Sequence, residues 1–153
     1  MNKVVDGFIG GWQTGGIISL QKGFPFSIGA SDPFGLLDVV YGTGNRANQV
    51  GNPFPSGTKT INQYFSPSAF AQPLPAHYGA MGRNTLRGPG IHTVDLNISK
   101  IISITERLKF EVRMEGFNIF NTPQFNNPNT TLTSPTFGVI GSTRLDSREL
   151  QWG

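Results

Sequence analysis

The sequence predicts an all-β fold of antiparallel strands, and three observations carry that expectation. Residues 107–116, RLKFEVRMEG, alternate without an error: Arg107, Lys109, Glu111, Arg113 and Glu115 share one parity, and Leu108, Phe110, Val112 and Met114 the other. Strand side chains point to opposite faces with period 2, whereas a helix would spread these charges around its circumference. Residues 91–103, IHTVDLNISKIIS, repeat the pattern, with Val94, Leu96 and Ile98 set against Thr93, Asp95, Asn97 and Ser99. The composition agrees. Charged residues are only 14%, and Gly (20) and Pro (11) are frequent, which disfavours a helical bundle and favours strands joined by turn-rich loops.

Taken in order, the first strand is expected at 12–22. Trp12, Thr14, Gly16, Ile18 and Leu20 form one face, and Gln13, Gly15, Ile17, Ser19 and Gln21 the other, with Ile17 breaking the polar parity. Gly23-Phe24-Pro25 closes it. The stretch 25–90 has no sustained period and reads as one long loop. A structureless connection of that size is foreign to a compact soluble domain. The strands 91–103 and 107–120 are joined by a short link near Ser103–Glu106, which makes them an antiparallel hairpin. A loop follows at 122–146, and a fourth strand begins at 147–153, where Leu150 and Trp152 declare an apolar face.

These elements suit a transmembrane β-barrel better than a sandwich. Soluble strands are usually about 5–6 residues long, whereas a tilted membrane strand needs about 9–11. Long loop, short turn, long loop is the order of an outer-membrane barrel, whose extracellular loops are long and periplasmic turns short. Trp12, Phe24, Phe26, Phe117, Phe120, Phe125 and Phe137 sit near expected strand ends, as an aromatic girdle would. No run of 18 apolar residues suggests a membrane helix. The charged row Lys109, Glu111, Arg113 and Glu115 would then face a lumen, its alternating signs suited to cross-strand pairing, with Asp95 as one partner.

Other functions are poorly supported. The net charge is +3 with no run of like charge, so no nucleic-acid partner is expected. There is no Cys, which removes disulfides and thiolate metal sites. His92 and Asp95 have opposite parity on one strand and cannot pair locally, and His77 lies in a Pro-rich loop. No metalloprotease or phosphate-loop motif occurs. The chain is therefore expected not to be an enzyme, with no catalytic, cofactor or metal residues. Ligand contacts are expected from the loops and the lumen face, without assignment to particular residues.

Several phrases, in order, carry a resemblance: Gly10-Gly11-Trp12-Gln13, Gly23-Phe24-Pro25-Phe26, Phe65-Ser66-Pro67-Ser68-Ala69-Phe70, Gly82-Arg83-Asn84-Thr85-Leu86-Arg87-Gly88-Pro89-Gly90, Arg113-Met114-Glu115-Gly116-Phe117-Asn118-Ile119-Phe120-Asn121, Phe137-Gly138-Val139-Ile140 and Arg148-Glu149-Leu150-Gln151. Over about residues 8–153 they resemble the C-terminal barrel region of Oar-like TonB-dependent receptors, in which a carboxypeptidase-regulatory-like domain and a plug precede the barrel. The resemblance implies a location in the cell outer membrane and TonB-driven ligand uptake. It implies three kinds of partner: outer-membrane lipid, the plug with the remaining barrel strands, and the TonB system. On this reading residues 1–153 are a partial barrel domain, truncated at both ends. The start, MNKVVDGFIGGW, has no signal-peptide pattern, so export would draw on a segment upstream. The alternative is a secreted or surface β-rich module that binds a glycan or protein through its aromatic, Asn-rich loops.

Overall fold

The computed structural model describes residues 8–32, 34, 35 and 44–153. The described chain forms two compact units. One contains the long strands, in the residues up to Gln21 together with Ile91–Gln124 and Leu145–Gly153. The other contains Lys22–Gly90 and Phe125–Arg144.

The long strands are β1 (Trp12–Gln21), β8 (Ile91–Ser103), β9 (Lys109–Phe117) and β10 (Glu149–Trp152). They form one antiparallel sheet in the order β1-β8-β9-β10. The expected ends are trimmed by local chemistry. Arg107 and Leu108 belong to the turn, where Ile104 N–H and Thr105 N–H both donate to the Leu108 carbonyl and Leu108 N–H donates to Thr105 Oγ1. At the other end β9 stops at Phe117, short of the expected residue 120. Asn118 takes a left-handed φ of 48° and gives its N–H to Asp95 Oδ1 at 2.8 Å. Asn118 then holds Thr122 with both amide atoms, and Gln124 holds the backbone N–H and carbonyl of His92 at 2.9 and 2.7 Å. These two side-chain amides supply the pairing that the β-ladder no longer provides. Before β1, Gly11 has φ 72°, and a Cβ there would lie 2.3 Å from the Ile101 carbonyl oxygen, so only glycine fits.

The loops differ from expectation. The stretch 25–90 is not one structureless connection. It holds β2 (Pro25–Phe26), β3 (Gly29–Ala30), β4 (Asn45–Arg46), β5 (Asn48–Gln49), a 3₁₀ turn at Pro67–Ala69, β6 (Phe70–Ala71) and β7 (Leu86–Arg87). Its pairs are β2 with β7, β3 with β4 and β5 with β6, each only two residues long. Such short pairs leave no periodic trace in the sequence. The segment 125–144 is bonded into the same unit: Gly29 N–H donates to Thr130 O, Tyr64 N–H to Gly138 O and Ile140 N–H to Ile61 O.

Among the described residues the packed hydrophobic cluster lies in this second unit. Phe65 is fully buried at its centre, with ring centroids 6.0 Å from Phe26, 5.4 Å from Phe70 and 4.9 Å from Phe137. Ile28, Ala47, Tyr64, Ala69, Met81, Leu86 and Ile140 complete it. Gly138, at φ 83°, lies against the Phe65 ring, where an added Cβ would come within 3.3 Å. Phe26 is therefore a core residue here, Phe125 and Phe137 are partly buried and packed against that core, and none of the three is a girdle residue, because a packed loop unit uses aromatic rings as any core does.

Truncating Phe65 to Ala is expected to cost the loop unit about 3–5 kcal/mol. Limited proteolysis should then cleave within 22–90 while cleavage in the sheet stays unchanged.

Candidate functional site: a two-faced sheet and its loop unit

The strand register decides what the sheet can do. Reading across the strands, Ile18 faces Val94; Gly16 faces Leu96, then Gly116, then Leu150; Thr14 faces Ile98, then Met114, then Trp152; and Ile102 faces Phe110. Each strand thus places its apolar parity on the same side. The opposite side carries Gly15, Asn97, Glu115 and Gln151 in one row, Gln13, Ser99 and Arg113 in the next, and Ser19 beside Thr93. A slip of one residue in any pair would put charges into the apolar band.

The apolar face has no protein layer over it among the described residues. Ile18 is 69% exposed, Leu20 77% and Phe110 55%. Soluble proteins bury such a face against a second layer. From His92 to Ile102, β8 advances ten residues along this band. At about 3.4 Å per residue and a tilt near 45°, that is roughly 24 Å along a membrane normal. The apolar band of an outer-membrane barrel is about 25 Å tall.

At the lower end, beside the short turn, the Trp12 ring packs under the Lys100 ammonium at 4.7 Å, and its Nε1 donates to the Phe8 carbonyl. Lys100 shares the apolar parity but bends its charge to the carbonyls of Phe8 and Gly10, at 3.2 and 2.9 Å. This is how a lysine keeps its charge solvated at the rim of an apolar surface. Trp12 is exposed at the end of the apolar face, and Phe120 and Phe24 are exposed as well. Phe117 differs. Its parity is that of the charged row.

The expected cross-strand charge pairing does not form. Lys109, Glu111, Arg113 and Glu115 face Ser103, Ile101, Ser99 and Asn97 on β8, none of them charged. The ion pair formed among the described residues is Arg113–Glu115 at 3.6 Å, within one strand. Asp95 serves the backbone of Asn118 and no cation. This face combines the charges of β9 with amides and hydroxyls on its neighbours, and a shallow depression of about 140 Å³ lies over Gly15, Ile17, Asp95, Asn97, Glu115 and Phe117.

His92 and Asp95 lie on opposite faces, as their parity requires. His77 is in the loop unit, its Nδ1 beside the Pro75 carbonyl at 2.8 Å. No cluster of three metal-ligating side chains occurs among the described residues, and no helix there is long and apolar enough to cross a membrane. The Asn-rich loops spend their amides internally. Asn45 binds the backbone of Arg46, Gly79 and His77, and Asn129 binds Ser134, Thr136 and Thr131. This internal use was not legible in the composition, because the partners are brought close only by the fold.

A family model described as an outer membrane beta barrel domain matches residues 1–151. No curated protein and no solved structure matches the chain.

In the loop unit, burial pushes the Tyr64 phenol above its ordinary value of 10.0, while its hydroxyl donates to the Arg87 carbonyl at 3.2 Å. Above pH 10 the unfolded chain releases this proton while the folded chain keeps it. The stability contributed is therefore present below pH 10 and is lost as pH rises through the folded value. Denaturation of the loop unit, followed against pH, should fall more steeply above pH 10 in the wild type than in Tyr64→Phe.

Proposed function

This chain belongs to the outer membrane beta barrel domain family, and from that premise we propose that its sheet is part of the wall of a TonB-dependent receptor of the Oar-like type. The chain is an outer-membrane protein of antiparallel strands. The observation that carries the reading furthest is the single-layered sheet, with one continuous apolar face and one polar face. In a bilayer the first meets lipid and the second lines an aqueous lumen.

The outer edges of β1 and β10 have no strand partner among the described residues. Unpaired backbone groups are costly in lipid, and the smallest barrels close with about eight strands. The four strands thus need neighbours, and in a receptor these are the remaining barrel strands. The plug would fill the lumen beside the polar face, and the TonB system would drive release from the inner membrane. Ligand would first meet the loop unit, whose packed core makes it a preformed surface. The role proposed is uptake and not catalysis. A glycan-binding module is less well supported, because a soluble module would bury the apolar face of its sheet under a second layer, and among the described residues Ile18, Leu20 and Phe110 on that face are exposed.

The wall reading is tested by parity. The chain has no native Cys, so single cysteines report cleanly. Cysteines at 110, 112 and 114 should resist a water-soluble maleimide in intact outer membranes, and cysteines at 111, 113 and 115 should react. Equal labelling of both sets sinks the wall. Val112→Arg should cost roughly 2–4 kcal/mol of folding stability in lipid, while Glu111→Arg should be nearly neutral. For the receptor role, protein extracted in mild detergent should be retained by the immobilised periplasmic domain of TonB. Failure to be retained would remove the transport role and leave the barrel standing.

A further inference from the structure

We propose that the depression on the polar face, over Gly15, Ile17, Asp95, Asn97, Glu115 and Phe117, is a subsite for the ammonium or guanidinium group of an organic cation. The proposal rests on the reading that this face lines an aqueous lumen, and it names the class of ligand that the lumen takes. All six residues lie in the long-stranded unit.

The first observation is a pair of apolar side chains on the wrong face. Ile17 breaks the polar parity of β1, and Phe117 carries the parity of the charged row on β9. Both are exposed, Ile17 by 64% and Phe117 by 43%. Ile91 and Ile101 share the polar parity of β8, but they are buried and half-buried and lie toward its two ends. Ile17 stands opposite Asp95 in the register, and Phe117 lines the same depression from β9. Two strands thus each place an exposed apolar residue at one spot of a polar wall. Such a side chain adds stability only when something covers it.

The second observation is the shape. Gly15 contributes no side chain, and the Asn97 amide leans toward it, its Oδ1 2.7 Å from where a Cβ at position 15 would stand. The depression holds about 140 Å³. Pockets for whole ligands run from roughly 300 to 1,000 Å³, so this one suits a single head group.

Charge then selects the ligand. Asp95 and Glu115 line the depression, and no Lys or Arg among the described residues does. Arg113 lies 3.6 Å from Glu115 and offsets part of its charge, but Glu149 stands opposite Phe117 in the register and adds a carboxylate to the same face. Asp95 Oδ1 accepts the Asn118 N–H, which holds that carboxylate in place. A cation here meets carboxylate oxygens, the Asn97 amide oxygen and the Phe117 ring, whose π-face attracts positive charge, while its carbon skeleton covers Ile17. An anion is repelled, and a neutral ligand strips water from carboxylates without replacing it by a charge partner.

The test uses the protein expressed from its own gene and extracted from outer membranes in mild detergent. The probe is 4-fluorophenethylammonium, followed by broadening of its fluorine NMR line. The wild type should broaden it saturably and should bind the neutral 4-fluorophenethyl alcohol more weakly. D95N/E115Q should bind the ammonium roughly tenfold more weakly, since an exposed ion pair contributes up to about fivefold. G15V fills the depression at the expense of the flexible Asn97 side chain alone, and should abolish binding while the protein still reaches the outer membrane. E106Q/E111Q removes as much negative charge elsewhere on the hairpin and should leave binding nearly unchanged. Equal affinity for the ammonium and the alcohol, retention of binding in G15V, or equal loss in E106Q/E111Q overturns the proposal. Absence of binding in a protein whose cysteine at 111 reacts with maleimide and whose cysteine at 110 does not overturns this inference alone. Equal labelling at 110 and 111 overturns the lumen reading and the subsite with it.

Discussion

Everything in the long-stranded unit depends on register. Each strand has an apolar and a polar parity, but a strand alone does not make a surface. The pairing Ile98–Met114, Met114–Trp152 and Thr14–Ile98 puts three adjacent strand pairs in phase, so that four separate stripes merge into one band. Because the side-chain period is 2, the alternative register would expose Glu111 and Arg113 to the same solvent as Ile18 and Leu20. No single solvent suits that mixture. The observed register gives each face one environment, hydrocarbon on one side and water on the other.

The same constraint explains why the sheet has no core of its own. A soluble sheet buries its apolar side under a second layer, and this one does not. Its stability in place comes from ladder hydrogen bonds, which a low-dielectric bilayer makes obligatory, and from the match between the band and lipid. The interruptions fall at the ends. Lys100 bends to backbone carbonyls near the short turn, while Asn118 and Gln124 replace ladder pairing where β9 gives way to its loop. An amide side chain can do this because it offers a donor and an acceptor in the same geometry as a peptide group.

Conventional packing is confined to the loop unit. Phe65 and the rings around it bury apolar area of the kind that stabilises soluble domains, on the order of 1.5–3 kcal/mol for each large side chain. Two distinct sources of stability thus serve two units of one chain, lipid for the sheet and a small aromatic core for the loops. A loop unit with a core presents fixed groups to the outside, in contrast to a loop that must be ordered by its ligand and bear that entropy on binding.

The sequence by itself determined the wall. Uninterrupted alternation at Arg107–Glu115 and over Thr93–Ser99 specified strands, their two faces and their hairpin, because period 2 is a local property of the backbone. Their ends were less legible, since Asn118 stops β9 through a contact with Asp95 that lies 23 residues away. The loop unit was decided only in three dimensions. Its paired segments are two residues long and its core draws Phe26, Phe65, Phe70 and Phe137 from positions with no common period. Likewise the charged row of β9 suggested cross-strand pairs, and only the register revealed that uncharged Ser99 and Asn97 stand opposite Arg113 and Glu115. Periodicity reports which way a side chain points; what it meets is set by the partner strand, and that is a tertiary fact.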